Sequence, residues 1–304
     1  MTHYFTAKKQ EDLEYKYSKK YIKDKFNSYY QEDSDTALLV GFMAQALYEW
    51  LEASKEGWYE SKQQRWAKML ELNSRWSVVQ AVLTAVLMLH KAPIQSMVSY
   101  PLSLLDWDTD PEKPFEFHKC IAEVLTVLQQ FDCWVINPAV GLKSMSVTSN
   151  YECPVELRDI VNEVMYLPPM LVRPEYRTEE DQYDYLTIKS NHVLNTTKEY
   201  KGKIGLDAIN KLNQAGLKLD PYILSFEEEA TFELDSTEKV AQYTSLKNTS
   251  RKVYDLIQDE NEGNFWLTWK ADKRGRLYSQ GYQINIQSDD FKKSLISTQE
   301  LFYL

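Results

Sequence analysis

Over the first 130 residues, apolar and polar positions recur with helical periodicity and little else. Leu39, Phe42, Met43 and Ala46 recur at helical spacing, so a helix is expected there with Ser34 and Asp35 at its cap. Further helices are predicted near 58–72, 76–91 and 116–131. Their apolar faces are expected to form core, because a helix gains most of its stability by burying such a face. Residues before Ser34 are charged and rich in tyrosine, and read as an amphipathic or mobile lead-in.

The texture changes at Cys133. Cys133-Trp134-Val135-Ile136 is β-prone, Asn137-Pro138 and Gly141 punctuate, and Met145-Ser146-Val147-Thr148 alternates, which predicts a hairpin near 133–150. A helix at about 154–165, with Pro154 near its first turn, stops before Leu167-Pro168-Pro169-Met170-Leu171-Val172-Arg173-Pro174. That run cannot be helical, since proline removes donors and restricts its predecessor. A helix near 204–216 ends before Pro221. The next, at about 237–259, carries Leu246, Val253 and Ile257 on one face and Lys247, Arg251 and Asp255 on another. Asn264 to Ile286 has strand character, and Ser288 with Asp289 and Asp290 starts a last helix bearing Phe291, Leu295 and Ile296. The pattern predicts a mainly α fold with a hairpin and a few late strands.

Charge complicates any nucleic-acid reading, because 304 residues carry a formal net charge of −10 and duplex binding needs cations to displace counterions. The distribution is uneven, however. Lys270-Ala271-Asp272-Lys273-Arg274-Gly275-Arg276 is a cationic island, while Glu227-Glu228-Glu229 and Glu179-Glu180-Asp181 are acidic blocks, so a nucleic-acid surface would be local. Cys120, Cys133 and Cys153 form neither a disulfide framework nor a zinc pattern, and are expected to be reduced and buried. His3, His90, His118 and His192 lack metal-ligand spacing, so no metal site is expected in this chain. The amino terminus has no signal-peptide apolar run, and Val78 to Leu89 is too short to span a bilayer. A cytoplasmic location is the expectation.

The stretch richest in chemistry is Asp272-Lys273-Arg274-Gly275-Arg276-Leu277-Tyr278, followed by Asn285-Ile286-Gln287-Ser288-Asp289-Asp290-Phe291-Lys292-Lys293. An arginine fork can grip a phosphate at two points, glycine lets backbone approach a ligand, and a nearby aspartate can fix an arginine rotamer. On residue chemistry alone, a phosphate clamp and a solvated charge cluster in a turn both stand.

Asp-x-x-Gly-Arg with Leu-Tyr, then Asn-x-Gln-x-x-Asp-x-x-Lys, resembles the signature that opens the palm of bacteriophage and mitochondrial single-subunit RNA polymerases. Leu167 to Pro174 is similar to that family's proline-rich segment, and Asp207-Ala208-Ile209-Asn210-Lys211-Leu212-Asn213-Gln214 to its helix leading into the thumb. With the hairpin, these landmarks span roughly 133–304.

The resemblance implies a helical amino-terminal domain over 1–203 with the hairpin, a thumb over 204–263, and the first strands of a palm over 264–304. It implies that Arg276 contacts the template or RNA–DNA hybrid, Arg274 supports that loop, Asp272 orients both arginines, Gly275 shapes the turn, and Tyr278 and Lys293 match family positions. Lys247 and Arg251 would lay the basic face of the thumb on the hybrid, and the hairpin tip around Pro138, Val140 and Leu142 would take the place of the family's intercalating hairpin.

The family's two catalytic carboxylates, which hold paired Mg2+, and its nucleotide-binding fingers lie carboxy-terminal to this signature. The expectation is therefore a naturally split polymerase, in which a larger partner subunit supplies palm, fingers and Mg2+. Its setting would be the cytoplasm of an infected bacterial host, and this chain would be inactive alone. Phe291 to Leu304 is expected to dock on that partner and not in the chain's own core. One residue is inserted between Tyr278 and Asn285 relative to the family, and residues 1–130 match none of its promoter-recognition loops. A competing expectation is an acidic helical adaptor or phage regulatory protein.

Overall fold

The computed structural model describes residues 2–106, 115–139, 144–163, 166–178, 185–188, 191–194, 202–226, 229–230 and 233–299. The fold is mainly α. It divides into two compact units, one formed by Lys19–Val161 and the other by Met1–Ser18 together with Asn162–Leu304. The chain opens in the second unit, with α1 (Thr2–Lys16).

The Lys19–Val161 unit is built on helix packing. Ile22, Phe26 and Tyr30 repeat every four residues on α2 (Lys19–Glu32) and are buried, as the stripe of an amphipathic helix should be. α3 (Ser34–Ser54) is capped by Asp33, whose carboxylate accepts the Thr36 N–H at 2.8 Å. The cap therefore sits one residue before the expected Ser34. After α4 (Glu60–Leu72), Ser74 caps α5 (Arg75–Leu89), which buries Val78, Val79 and every residue from Ala81 to Val86. That uninterrupted burial explains the long apolar run: it is the central core helix. Among the described residues no single helix is long and apolar enough to cross a membrane, and α4 with α5 reaches that length only as a pair bent by 91°.

α5 ends at His90, which has φ 48° and reverses the chain. The strand that follows, β1 (Lys91–Pro93), leads to α6 (Ile94–Leu102) and α7 (Phe115–Leu128). β2 (Trp134–Asn137) and β3 (Ser146–Ser149) form the expected hairpin, Trp134 opposite Ser149 and Asn137 opposite Ser146. β1 adds to it antiparallel, so the sheet order is β1-β3-β2. α8 (Val155–Glu163) closes this part of the chain. All three cysteines lie here, buried and unbridged. Burial pushes the Cys120 thiol up to about 12 and Cys133 to about 11, so neither is a nucleophile at neutral pH.

The other unit holds α9 (Leu206–Asn213), β4 (Leu217–Leu219), α10 (Pro221–Leu224), α11 (Thr237–Asn261), β5 (Asn264–Phe265), β6 (Thr268–Ala271), β7 (Leu277–Gln280), α12 (Asp290–Ser294) and β8 (Ile296–Thr298). β5, β4 and β8 make one antiparallel sheet, while β6 and β7 form a separate two-stranded ribbon. Its core gathers Leu219, Val253, Tyr254, Ile257, Phe265, Leu267, Ile284 and Leu295, at roughly 1.5–3 kcal/mol for each large side chain withdrawn from water.

The expected boundaries at 203/204 and 263/264 both fall inside this unit. One expectation changes here. Phe291 to Ile296 belong to the chain's own core. Leu295 is fully buried, Phe291 and Ile296 pack beside it, and β8 pairs with β4. Residues 300–304 lie outside the described residues.

Candidate functional site

Segments far apart in sequence meet around β6. Met170, in the proline-rich run, exchanges both backbone hydrogen bonds with Trp266, at 3.0 and 2.8 Å. The next residue, Leu171, donates its N–H to the buried Gln10 side chain at 2.8 Å and accepts from the Asn261 amide at 2.8 Å. On α9, Asn213 accepts the Trp269 N–H at 2.9 Å, Asn210 exchanges two 2.9 Å bonds with the backbone of Arg177, and Gln214 donates to the Pro174 carbonyl. Val193 bridges Ala271 in parallel. The amides of the Asp207–Gln214 landmark thus fix the ribbon and the proline-rich strap to one helix. The Asn210 and Asn213 contacts are buried, and losing either would strand a partner.

The ribbon carries the cationic island on its turn. Thr268 faces Gln280 and Ala271 faces Leu277, and five residues close the loop. Asp272 organises it. One carboxylate oxygen accepts the N–H groups of Arg274 (2.8 Å) and Arg276 (3.0 Å), and the other accepts Nε of Arg276 (2.7 Å) and of Arg274 (3.3 Å). Gly275 has φ 84°, a left-handed conformation that admits glycine without a Cβ penalty. Burial pushes the Asp272 carboxyl up, but the backbone and guanidinium hydrogen bonds of Arg276 outweigh it and hold the group below the ordinary carboxylate range. The hydrogen bond that Arg276 donates to Asp272 raises the Arg276 pKa in return.

Both arginines face solvent, with side chains 71% and 55% exposed against 16% for Asp272. The Arg276 guanidinium lies over the Tyr278 ring, 5.6 Å from its centroid. Each arginine turns Nε inward to Asp272. Both guanidinium groups sit on an exposed turn, where the fork of an arginine can meet a phosphate.

Asn285 and Gln287, quoted from the motif without an assigned role, clamp the ribbon. Asn285 donates to the carbonyls of Ser279 (3.2 Å) and Gly281 (3.0 Å), while Gln287 accepts from Ser279 N–H (3.0 Å) and donates to the Leu277 carbonyl (3.0 Å). Asp289 caps α12 through the Lys292 N–H at 2.9 Å. The motif's spaced amides were the available signal, since side-chain amides can pair with a strand edge at both atoms.

Other expected site residues lie on other elements. Lys293 pairs with Asp290 at 3.3 Å. Arg251 donates to the Leu224 carbonyl at 2.9 Å and pairs with Asp255 at 3.2 Å, so it pins α10 to α11. Lys247 is half-buried on α11. That helix is uneven. Val253, Tyr254 and Ile257 enter the core, whereas no described side chain from Thr237 to Thr249 is buried. Pro138 is exposed just after β2, and Val140 and Leu142 lie outside the described residues. Among the described residues no group of three or more His, Cys, Asp or Glu is placed to hold a metal ion.

Neither the known family models nor the curated proteins contain a match to this chain.

Proposed function

We propose that this chain is the template- and hybrid-gripping part of a DNA-directed RNA polymerase of the bacteriophage single-subunit type. In this reading the catalytic carboxylates, their Mg2+ and the fingers belong to a partner subunit. One observation carries it: a single carboxylate, Asp272, fixes Arg274 and Arg276 on an exposed turn with their outer edges toward solvent. Such a pair suits a phosphate backbone, and the proline-rich strap and the ribbon are both tied to the α9 landmark by its own side chains, Gln214 and Asn213. The exposed first half of α11 suits a thumb, which must reach past its own core to lie on a hybrid.

The competing reading, an acidic adaptor, is favoured by the net charge of −10 and by Leu38 and Phe42, which are 60% and 63% exposed on α3. Protein partners rather than nucleic acid would use that face. The deciding experiment is co-purification with the product of a neighbouring gene, followed by RNA synthesis on single-stranded DNA. Template-dependent RNA from the pair, reduced by Arg276→Ala, supports the polymerase. A stable pair that makes no RNA supports the adaptor.

A further inference from the structure

Tyr166 and Tyr282 stack face to face, with ring centroids 3.7 Å apart and planes 10° from parallel. Aromatic pairs in protein interiors favour offset or edge-on contacts with centroids about 4.5–7 Å apart, so packing alone does not favour this sandwich. Nor is the pair buried. Tyr166 is 38% and Tyr282 45% exposed although one face of each ring is covered by the other.

Its place in the fold gives the pair a meaning. Tyr166 precedes Met170, which bridges to Trp266 immediately before β6, and Tyr282 follows β7 by two residues. The stack therefore stands at the opposite end of the ribbon from the arginine turn. Between them, Tyr278 and Gln280 occupy alternate positions of β7, Arg276 lies just before it and Lys270 on β6 faces Tyr278, so cationic groups and a ring share the ribbon. From Arg276 to Tyr282 the chain advances six positions, roughly 20 Å at full extension. Cationic groups interleaved with open aromatic faces over a few nucleotides are how single strands are held without sequence preference.

We infer that Tyr166 and Tyr282 form a base-stacking platform for single-stranded nucleic acid whose phosphates are held at Arg274 and Arg276. This rests on the reading above and adds to it a second contact point of different chemistry. The test is fluorescence anisotropy of the full-length chain with a labelled 12-nucleotide single-stranded DNA. Tyr282→Ala and Tyr166→Ala should each weaken binding about 5- to 100-fold, the range for losing one stacked base, while Tyr282→Trp should retain it. The salt dependence separates the two contacts. Arg276→Ala should flatten the slope of log K against log salt by about 0.7, one phosphate on a single strand, and Tyr282→Ala should leave it unchanged.

An abasic scan distinguishes stacking from a merely structural tyrosine. Removing one particular base should weaken wild type and leave Tyr282→Ala unaffected. Should Tyr282→Ala fail to fold, Tyr282→Leu, which keeps apolar bulk without a π face, is read in the same way. Wild-type binding by the tyrosine variants, or no abasic position coupled to Tyr282, overturns the platform; if Arg276→Ala still flattens the slope, the polymerase reading survives it. Wild-type protein that fails to bind the oligonucleotide at all counts against both.

Discussion

Arg65 and Arg276 each meet one carboxylate at 2.7 Å, yet the two sites are inverted. In the Lys19–Val161 unit the arginine is inside: the Arg65 side chain is 3% exposed and Glu123 26%. Glu123 also accepts the Trp66 indole N–H at 2.7 Å and pairs with Lys62, which lies over the rings of Trp50 and Trp58 at 5.0 and 4.3 Å. In the ribbon the carboxylate is the inner member and the arginine the outer. The inner group is fixed by its surroundings and the outer group can meet something else. The same ion pair is thus an internal rivet in one unit and a presented ligand group in the other.

Breaking the rivet should have the largest effect. Glu123→Ala strands a buried guanidinium and an indole N–H, and should lower stability in urea unfolding of the whole chain by about 3 kcal/mol, as for other half-broken buried pairs. A loss below about 1 kcal/mol would erase the contrast with the ribbon. Arg276→Ala should do the opposite, changing stability by less than about 0.5 kcal/mol but slowing RNA synthesis by the assembled polymerase roughly 10- to 100-fold, the value of a charge-assisted hydrogen bond worth about 1.5–3 kcal/mol. Arg276→Lys should restore only part of the rate, because an ammonium has no fork. Elongation at the wild-type rate by the alanine variant would remove the turn from the site.

Gly275→Ala has a smaller, local consequence. Nothing lies within 4 Å of an added Cβ, so the penalty is backbone strain alone, about 1–2 kcal/mol for a left-handed residue with a side chain. Faster hydrogen exchange at the Gly275 and Arg276 amides would report it, and unchanged exchange would show that the turn does not need glycine. The smallest effect concerns pH. The Asp272 carboxyl is depressed in the folded chain, so its contribution is present above the ordinary carboxylate pKa, near 3.9, and is lost as pH falls through the depressed value. The Tm difference between wild type and Asp272→Asn should hold steady from about pH 8 to 5 and close only below about pH 4. Closure already at pH 6 would mean that Asp272 is not depressed.

Legibility differed between the units for physical reasons. Helical periodicity located α3, α4, α5, α7 and α11 closely, because their buried faces are long enough to show a repeat. The hairpin was readable from alternation and turn residues. β1 was not: Lys91-Ala92-Pro93 is three residues with a proline, and only β3 makes it a strand. A last helix was expected from Ser288 and forms as Asp290–Ser294, capped by Asp289, but it is too short to carry Leu295 and Ile296, and Ile296 opens β8. Leu295 packs with Phe265 and Ile257 through contacts that no local pattern encodes. Within the site, a turn was readable from Asp272 to Gly275, and the role of Asp272 was an implication of the resemblance, whereas the Tyr166–Tyr282 stack joins residues over a hundred positions apart and left no sequence signal.

The placement of α1 sets a timetable. Glu14 is buried and its carboxylate accepts the N–H groups of Leu186 and Thr187, at 2.9 and 2.7 Å, while Gln10 waits for Leu171. On a ribosome these partners emerge well over a hundred residues later, a lag of roughly 10–35 s at ordinary synthesis rates of about 5–20 residues per second. The Lys19–Val161 unit, continuous in sequence, can complete itself within that interval. The first helix of the chain is consequently among the last to find its place, and a nascent chain halted near residue 161 would leave it without its hydrogen-bond partners.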